Sequence, residues 1–267
     1  MDISIIIPSF NDSRIERTVK SILSQNYPRE GYEIIIVDGG SPQDTFGETL
    51  EYLKEECDVV ICEKDEGIFD GLNKGVELAN GNLVFMIGSD DFLISDDVFK
   101  TAYQKFKEHN YELIVFELFY VNQNNKIERY WSMPRNMNSI PSYFQLPHFS
   151  TFMSRNLIGN TRFKLESFIS ADYGFFKELL GKNKKTFIIN NPVVCMTSGG
   201  QSSKDFVNIL KGNMQSLKEF GMNPYKVLRF FLHKLFTKSK HFASMKLNSK
   251  KRNQFQIKIN TYLNLIK

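Results

Sequence analysis

Two apolar runs in this chain close in acidic turns: Ile34-Ile35-Ile36-Val37-Asp38-Gly39-Gly40-Ser41 and Leu83-Val84-Phe85-Met86-Ile87-Gly88-Ser89-Asp90-Asp91. Short runs of β-branched and aromatic residues bounded by Gly and Ser read as strands buried on both faces of a parallel sheet. Ligands of open α/β sheets gather beyond the carboxyl ends of such strands, so both turns are expected to face one crevice. Adjacent carboxylates at Asp90 and Asp91 repel each other unless a cation or a hydrogen-bond donor compensates. The pattern points to a divalent metal and a phosphate-bearing ligand.

Around these turns, apolar runs and amphipathic stretches alternate from Ile3 to about Phe119, which predicts a βαβ series and a mostly parallel central sheet flanked by helices. A first helix carries Ile15, Val19, Ile22 and Leu23 on one stripe, with Asn11, Asp12 or Ser13 as its cap. Strands are expected at 33–37, 59–62 and 83–87, and again at 111–120, where the turn Asn122 to Lys126 leads to a partner strand through Trp131. With 267 residues, 42% of them apolar, the chain can bury one substantial core plus an appendage. The three cysteines, Cys57, Cys62 and Cys195, lack metal-ligand spacing and fit a reducing compartment. The N-terminus has no signal-like leader and no apolar stretch reaches membrane-spanning length, so a cytoplasmic or peripheral protein is expected.

Charge divides the chain. From Met222 to Lys267 there are eleven Lys or Arg and no Asp or Glu, against a net +4 overall, leaving −7 for residues 1–221. Leu228, Phe231, Leu232 and Leu235 recur there at helical spacing among basic residues. Residues 206–267 therefore read as a basic amphipathic helical extension, suited either to anionic membrane lipid at the cytoplasmic face of the inner membrane or to packing on the domain. No nucleic-acid motif accompanies the charge.

The crevice is not an ordinary dinucleotide site. After the first strand the chain reads Pro8-Ser9-Phe10-Asn11-Asp12, without the Gly-x-Gly-x-x-Gly that lets a pyrophosphate approach a helix, and there is no Walker A loop. A divalent cation, Mn²⁺ or Mg²⁺, held by Asp90 or Asp91 is the economical way to neutralise a nucleotide diphosphate.

Several segments together carry a family resemblance: residues 5–11 (Ile-Ile-Ile-Pro-Ser-Phe-Asn), 37–45 (Val-Asp-Gly-Gly-Ser-Pro-Gln-Asp-Thr), 65–75 (Asp-Glu-Gly-Ile-Phe-Asp-Gly-Leu-Asn-Lys-Gly) and 88–91 (Gly-Ser-Asp-Asp). Pro147-His148-Phe149-Ser150, Ile169-Ser170-Ala171-Asp172 and Gly199-Gly200-Gln201-Ser202 extend it to about residue 203. In this order they resemble a family 2 glycosyltransferase with the GT-A fold, of the kind that builds bacterial capsule, O-antigen or exopolysaccharide. The resemblance implies a catalytic domain over 1–205, with a nucleotide-sugar half to about 95 and an acceptor half from about 96.

The roles that this resemblance implies follow position by position. Pro8, Ser9, Asn11 and Gly39 line the nucleotide pocket, and Asp38 accepts the imide N–H of uracil, which favours a UDP-sugar. Asp65, Gly67, Asp70, Asn73 and Lys74 flank ribose, sugar and phosphate. Ser89 and Asp90 meet the diphosphate, with Asp90 the last acid of an Asp-x-Asp signature, Asp91 supporting the metal, and Gly88 standing where many relatives place the first acid. Asp172, at a helix N-terminus, is the expected base that deprotonates an acceptor hydroxyl for inverting displacement. His148, Gly200 and Ser202 fall on the acceptor side, which takes a saccharide or lipid-linked saccharide. The Gln-x-x-Arg-Trp signature of processive synthases is missing, which favours single additions. Two other readings stay open: a sugar-phosphate nucleotidyltransferase, and a catalytically inactive nucleotide-sugar-binding protein.

Overall fold

The structure, a computed structural model, describes residues 1–134, 146–166, 171–181, 185–198 and 249–266. In chain order its elements are β1 (Ile3–Ser9), α1 (Ile15–Leu23), β2 (Tyr32–Asp38), α2 (Gln43–Glu56), β3 (Val59–Cys62), α3 (Ile68–Leu78), β4 (Leu83–Met86) and β5 (Phe92–Leu93). There follow α4 (Val98–His109), β6 (Leu113–Val121), β7 (Ile127–Trp131), β8 (Thr151–Ser154), α5 (Arg155–Ile158), α6 (Ala171–Gly181), β9 (Thr186–Thr197) and α7 (Ser249–Leu265). The described strands form one sheet in the order β3-β2-β1-β4-β8-β6-β9-β5, with β7 on the edge of β6.

The isoleucine-rich β1 and β2 are buried along their whole length because helices cover both faces of the sheet. One face packs Ile5, Ile34 and Phe85 against α1, α2 and α4; the other packs Ile6, Ile35 and Met86 against α3 and α6. Parallel pairing holds from β3 through β4. Beyond it β8 runs antiparallel to both β4 and β6, while β9 returns parallel to β6. The mostly parallel expectation thus describes the first half, and the second half is mixed. The change comes at β8, whose Phe152, stacked on Phe85 with centroids 4.3 Å apart, fills the seam between the halves.

The first helix differs from expectation at its start. Arg14 precedes it with no side-chain cap, and the Asp12 carboxylate instead accepts the Arg14 backbone N–H at 3.1 Å and grips its guanidinium. At the other end of the sequence, α7 packs on the body: Ile259, Phe255 and Leu263 join Phe92, Phe119 and Ile127 in a third core cluster. Tyr262 Oη pairs with Ser24 Oγ at 2.5 Å, and Arg252 donates to the Ile127 carbonyl at 2.5 Å. The end of the basic extension is therefore docked by apolar contact. Leu228, Phe231, Leu232 and Leu235 lie outside the described residues, as do Gly200 and Ser202. Among the described residues no helix is long and apolar enough to cross a membrane.

Candidate active site

The carboxyl ends of β1, β2 and β4 place the first group of expected residues on one sheet edge. Register pairs Ser9 with Asp38, and Ser9 O accepts the Gly39 N–H at 2.8 Å. Ser9 Oγ is buried and has no hydrogen-bond partner among the described residues, a hydroxyl waiting for one at the strand end. Asp38 is fully buried; its oxygens accept from Ser41 N at 2.7 Å, Ser41 Oγ at 2.5 Å and Cys62 Sγ at 3.0 Å. The same Ser41 hydroxyl receives the Asn11 backbone N–H at 2.6 Å, which ties the loop after β1 to the loop after β2.

Asp65 bends over this pair. A β-carbon at Gly39 would lie 2.9 Å from its Oδ1, and one at Gly71 would meet both its Oδ2 and Pro8. Burial pushes its carboxyl pKa up, against the pull of the Gly67 N–H bond at 2.9 Å. Pro8, Gly39 and Asp65 are thus neighbours. Farther along α3 the expected residues serve local structure as well: Asp70 accepts the Glu66 N–H, Lys74 Nζ bridges Glu63 at 2.7 Å and Asp70 at 3.4 Å, and Asn73 clamps the Phe163 backbone through two bonds.

The turn after β4 is the most highly charged part. Asp91 is 2% exposed and accepts the Thr197 N–H at 2.9 Å, and its carboxyl pKa is pushed up to about 8 by burial and then by the neighbouring Asp90 charge. Asp90 is half-open. Burial raises its pKa too, opposed by Arg14, whose Nη1 lies 3.2 Å from Asp90 Oδ2. Arg14 also forks onto Asp12, with Nε and Nη2 each 2.8 Å from a carboxylate oxygen, and Ser89 Oγ donates to Asp12 at 3.2 Å. Burial works against ionised Asp12, yet the Arg14 contacts prevail and hold its pKa below the usual value. Arg17 anchors the turn from beneath, donating to the Asp90 carbonyl at 2.6 Å and to Asn125 Oδ1 at 3.0 Å while its guanidinium covers Phe92. Thr18 Oγ1 lies within bonding distance of both the Ser89 and Asp91 carbonyls.

Asp12, Arg14, Arg17 and Thr197 were not read from sequence as site residues. Charges beginning a helix look like a solvated face, and only the spacing of Arg14 and Arg17 at i, i+3 hinted at a shared side.

The partly open Asp90 carboxylate offers the kind of oxygen donor that a hard divalent cation takes. Among the described residues no three His, Cys, Asp or Glu side chains gather as a closed metal cage. Such a cation would be held by Asp90 and by groups of its ligand, whereas Asp91, expected with it from the sequence, is buried and turned to the Thr197 N–H.

Across the sheet, Asp172 occupies the first turn of α6 and is 6% exposed, with His148 Nδ1 3.7 Å from its Oδ2. Burial lowers the His148 pKa, against the Asp172 charge, so the ring is neutral at neutral pH. Tyr120 links the halves: burial first, then the nearby charges of Asp91 and Asp172, push its hydroxyl up to about 12. Both carboxylates therefore act on one tyrosine.

Comparison with known proteins bears on the family and the fold. Poly(ribitol-phosphate) beta-N-acetylglucosaminyltransferase TarP of Staphylococcus aureus is 32% identical over 118 residues, 42% of this chain and 35% of TarP. A PGL/p-HBAD biosynthesis glycosyltransferase of Mycobacterium tuberculosis is 26% identical over 64% of this chain and 67% of its own. Several other curated relatives are matched over only 20% to 30% of their length. The crystal structure of S. aureus TarS 1-349 in complex with UDP-GlcNAc superposes with a TM-score of 0.67 at 18% identity, over the whole of this chain and 82% of that one. The mannosyltransferase PcManGT of Pyrobaculum calidifontis, in complex with GDP-Man and Mn²⁺, gives 0.61 at 12% identity, over 99% and 85%. The fold is that of the GT-A glycosyltransferases. The family described as Glycosyl transferase family 2 matches residues 4–180, and with strand ends, acidic turn and helix-borne aspartate all inside that span, the chain belongs to it.

Proposed function

We propose that this protein is an inverting, non-processive glycosyltransferase that moves a sugar from a nucleotide diphosphate, most simply a UDP-sugar, to a saccharide or lipid-linked saccharide of a surface glycan. The observation that carries the reading is that the acidic turn after β4 and the helix-borne Asp172 come close to one residue, Tyr120, whose hydroxyl feels the charges of both Asp91 and Asp172. TarP is named a beta-N-acetylglucosaminyltransferase, TarS is seen in complex with UDP-GlcNAc and PcManGT with GDP-Man, which supports a nucleotide-sugar donor.

In this reading Ser9 and Asp38 hold the base and ribose end, where a buried hydroxyl lacks a partner. Asp38 Oδ1 accepts one bond, from the Ser41 hydroxyl, and keeps a second lone pair for the imide N–H of uracil. Asp90 would hold a Mn²⁺ or Mg²⁺ ion, which would supply positive charge against the leaving diphosphate. Asp172 takes the proton from an acceptor hydroxyl; the oxygen forms its bond to the anomeric carbon as the carbon–phosphate-oxygen bond breaks, and the diphosphate leaves with that electron pair. His148, packed on Phe149 with its Nδ1 3.7 Å from Asp172 Oδ2, is held neutral by burial and so adds no positive charge beside the base.

The test is to mix the protein with UDP-sugars, Mn²⁺ and saccharide acceptors and to follow UDP release and glycosylated product. Asp172→Asn should cut transfer by ~10²–10⁴-fold while donor-induced thermal stabilisation persists. Undiminished transfer by that variant overturns the assignment.

A further inference from the structure

We propose that Cys62 sets the choice of nucleobase: its thiol closes one oxygen of Asp38, so that the carboxylate takes the single imide N–H of uracil and turns away the paired N–H donors of guanine. This rests on the donor reading above and adds to it a residue outside every segment that carries the family resemblance. Register pairs Ser9 with Asp38 and Asp38 with Cys62, the last positions of β1, β2 and β3, so the three side chains leave the same face of adjacent strands. A carboxylate offers about four lone-pair sites. On the fully buried Asp38, Oδ2 accepts the Ser41 N–H at 2.7 Å and the Cys62 thiol at 3.0 Å. Among the described residues Oδ1 accepts the Ser41 hydroxyl alone, at 2.5 Å, which leaves one acceptor site. The second observation lies on the neighbouring strand: Ser9 is 6% exposed and its hydroxyl has no partner among the described residues. One buried donor beside one open acceptor matches a uracil carbonyl next to its imide N–H.

Guanine presents its ring N–H and its amine side by side, and a carboxylate meets such a pair with both oxygens, as it meets a guanidinium. With Oδ2 filled, the amine would be buried without an acceptor, the mismatch by which a polar site rejects an analogue most strongly. The Ser41 N–H belongs to the backbone of the turn after β2, so of the two donors on Oδ2 only the thiol is open to change by substitution. Partial burial and then the Asp38 bond push the thiol pKa up, so it keeps the proton that it donates. Cys62 is therefore a positioning residue that acts on the base through Asp38. It is exposed, and its replacement leaves the core untouched.

Calorimetric titration of the full chain with UDP and with GDP, Mn²⁺ present throughout, tests this. The unaltered protein should favour UDP by at least about tenfold, the factor for one unpaired buried donor. Cys62→Ala, which reopens Oδ2, should close most of that gap by gaining GDP affinity, and Cys62→Ser, which keeps a donor in the same place, should restore the preference. A cysteine with a merely structural role would lower both affinities together and leave their ratio alone. Cys62→Val also removes the donor and repeats the comparison if the alanine variant does not unfold cooperatively. An unchanged UDP-to-GDP ratio in the variants that lack a donor, or a ratio that falls equally in Cys62→Ser, overturns the proposal and spares the donor reading. Binding of neither nucleotide, or a preference for GDP in the unaltered protein, overturns the uracil assignment and this proposal with it.

Discussion

The Asp91 carboxylate folds back across Gly88, so closely that a β-carbon on the glycine would stand 2.7 Å from Oδ2. The space at Gly88, where the family resemblance leads one to expect a first acid, is thus filled here by the turn's last acid, which is buried and bonded to Thr197. Gly88→Asp should not restore an extra metal ligand. It should push Asp91 off the Thr197 N–H and overpack a closed corner, at a cost of ~1–3 kcal/mol. Thermal unfolding should show a melting temperature lower by several degrees with Mn²⁺ affinity no better; a stable variant with tighter Mn²⁺ binding contradicts this account.

Asp38 should matter through its charge rather than its shape. Asp38→Asn keeps the size but loses a carboxylate that accepts three bonds, and hydrogen bonds to charged groups contribute ~1.5–3 kcal/mol each. UDP binding measured by calorimetry should weaken by at least about tenfold. Ser41→Ala, which frees Oδ1, should leave UDP binding intact. If the asparagine variant binds UDP normally, base recognition lies elsewhere on the sheet edge.

The first half of this architecture was open to sequence reading because its physics is local. Ile5, Ile35 and Phe85 sit in uninterrupted apolar runs that only a two-sided burial explains, and the acidic turns mark where those strands stop. The second half was not. β8 is four residues long and joins the sheet antiparallel through Phe152, a contact with Phe85 that lies 67 positions away and has no local signature. β9 runs through Asn190, Asn191 and Pro192, residues that argue against a strand, because its register shifts there beside Glu117. The same limit hid Arg14 and Arg17: helix charge patterns do not say which loop lies opposite, and here it is the acidic turn.

Acid should expose His148. Its folded pKa is lowered by burial, so above the unfolded value near 6.5 the ring is neutral in both states and contributes no pH dependence. As pH falls below that value the unfolded chain takes up a proton first, and stability declines until the folded pKa is passed. His148→Gln should flatten that part of the urea-unfolding profile between pH 7 and 5. An unaltered slope would place the responsible group elsewhere.

The docked C-terminal helix reaches the charged turn through a continuous set of bonds. Gln256 donates to the Asn125 carbonyl at 2.9 Å and accepts from the Ile127 N–H at 3.0 Å, which fixes the left-handed Asn125 whose side chain receives Arg17. Arg17 in turn holds the Asp90 carbonyl. Gln256→Ala deletes both helix bonds, at a cost of ~1–3 kcal/mol, and loosens the support of Arg17 without touching the acids themselves. Donor KM and Mn²⁺ dependence should rise a few-fold while kcat stays close to its original value, because Asp172 and His148 stand on α6 and in the segment before β8, apart from this contact. Gln256→Glu keeps the acceptor for Ile127 but replaces the donor to Asn125 with a second acceptor, so it should preserve part of the stability and repeat the KM effect. If both variants lose stability with KM unchanged, α7 acts as a packing element and the Arg17 connection carries no influence on Asp90.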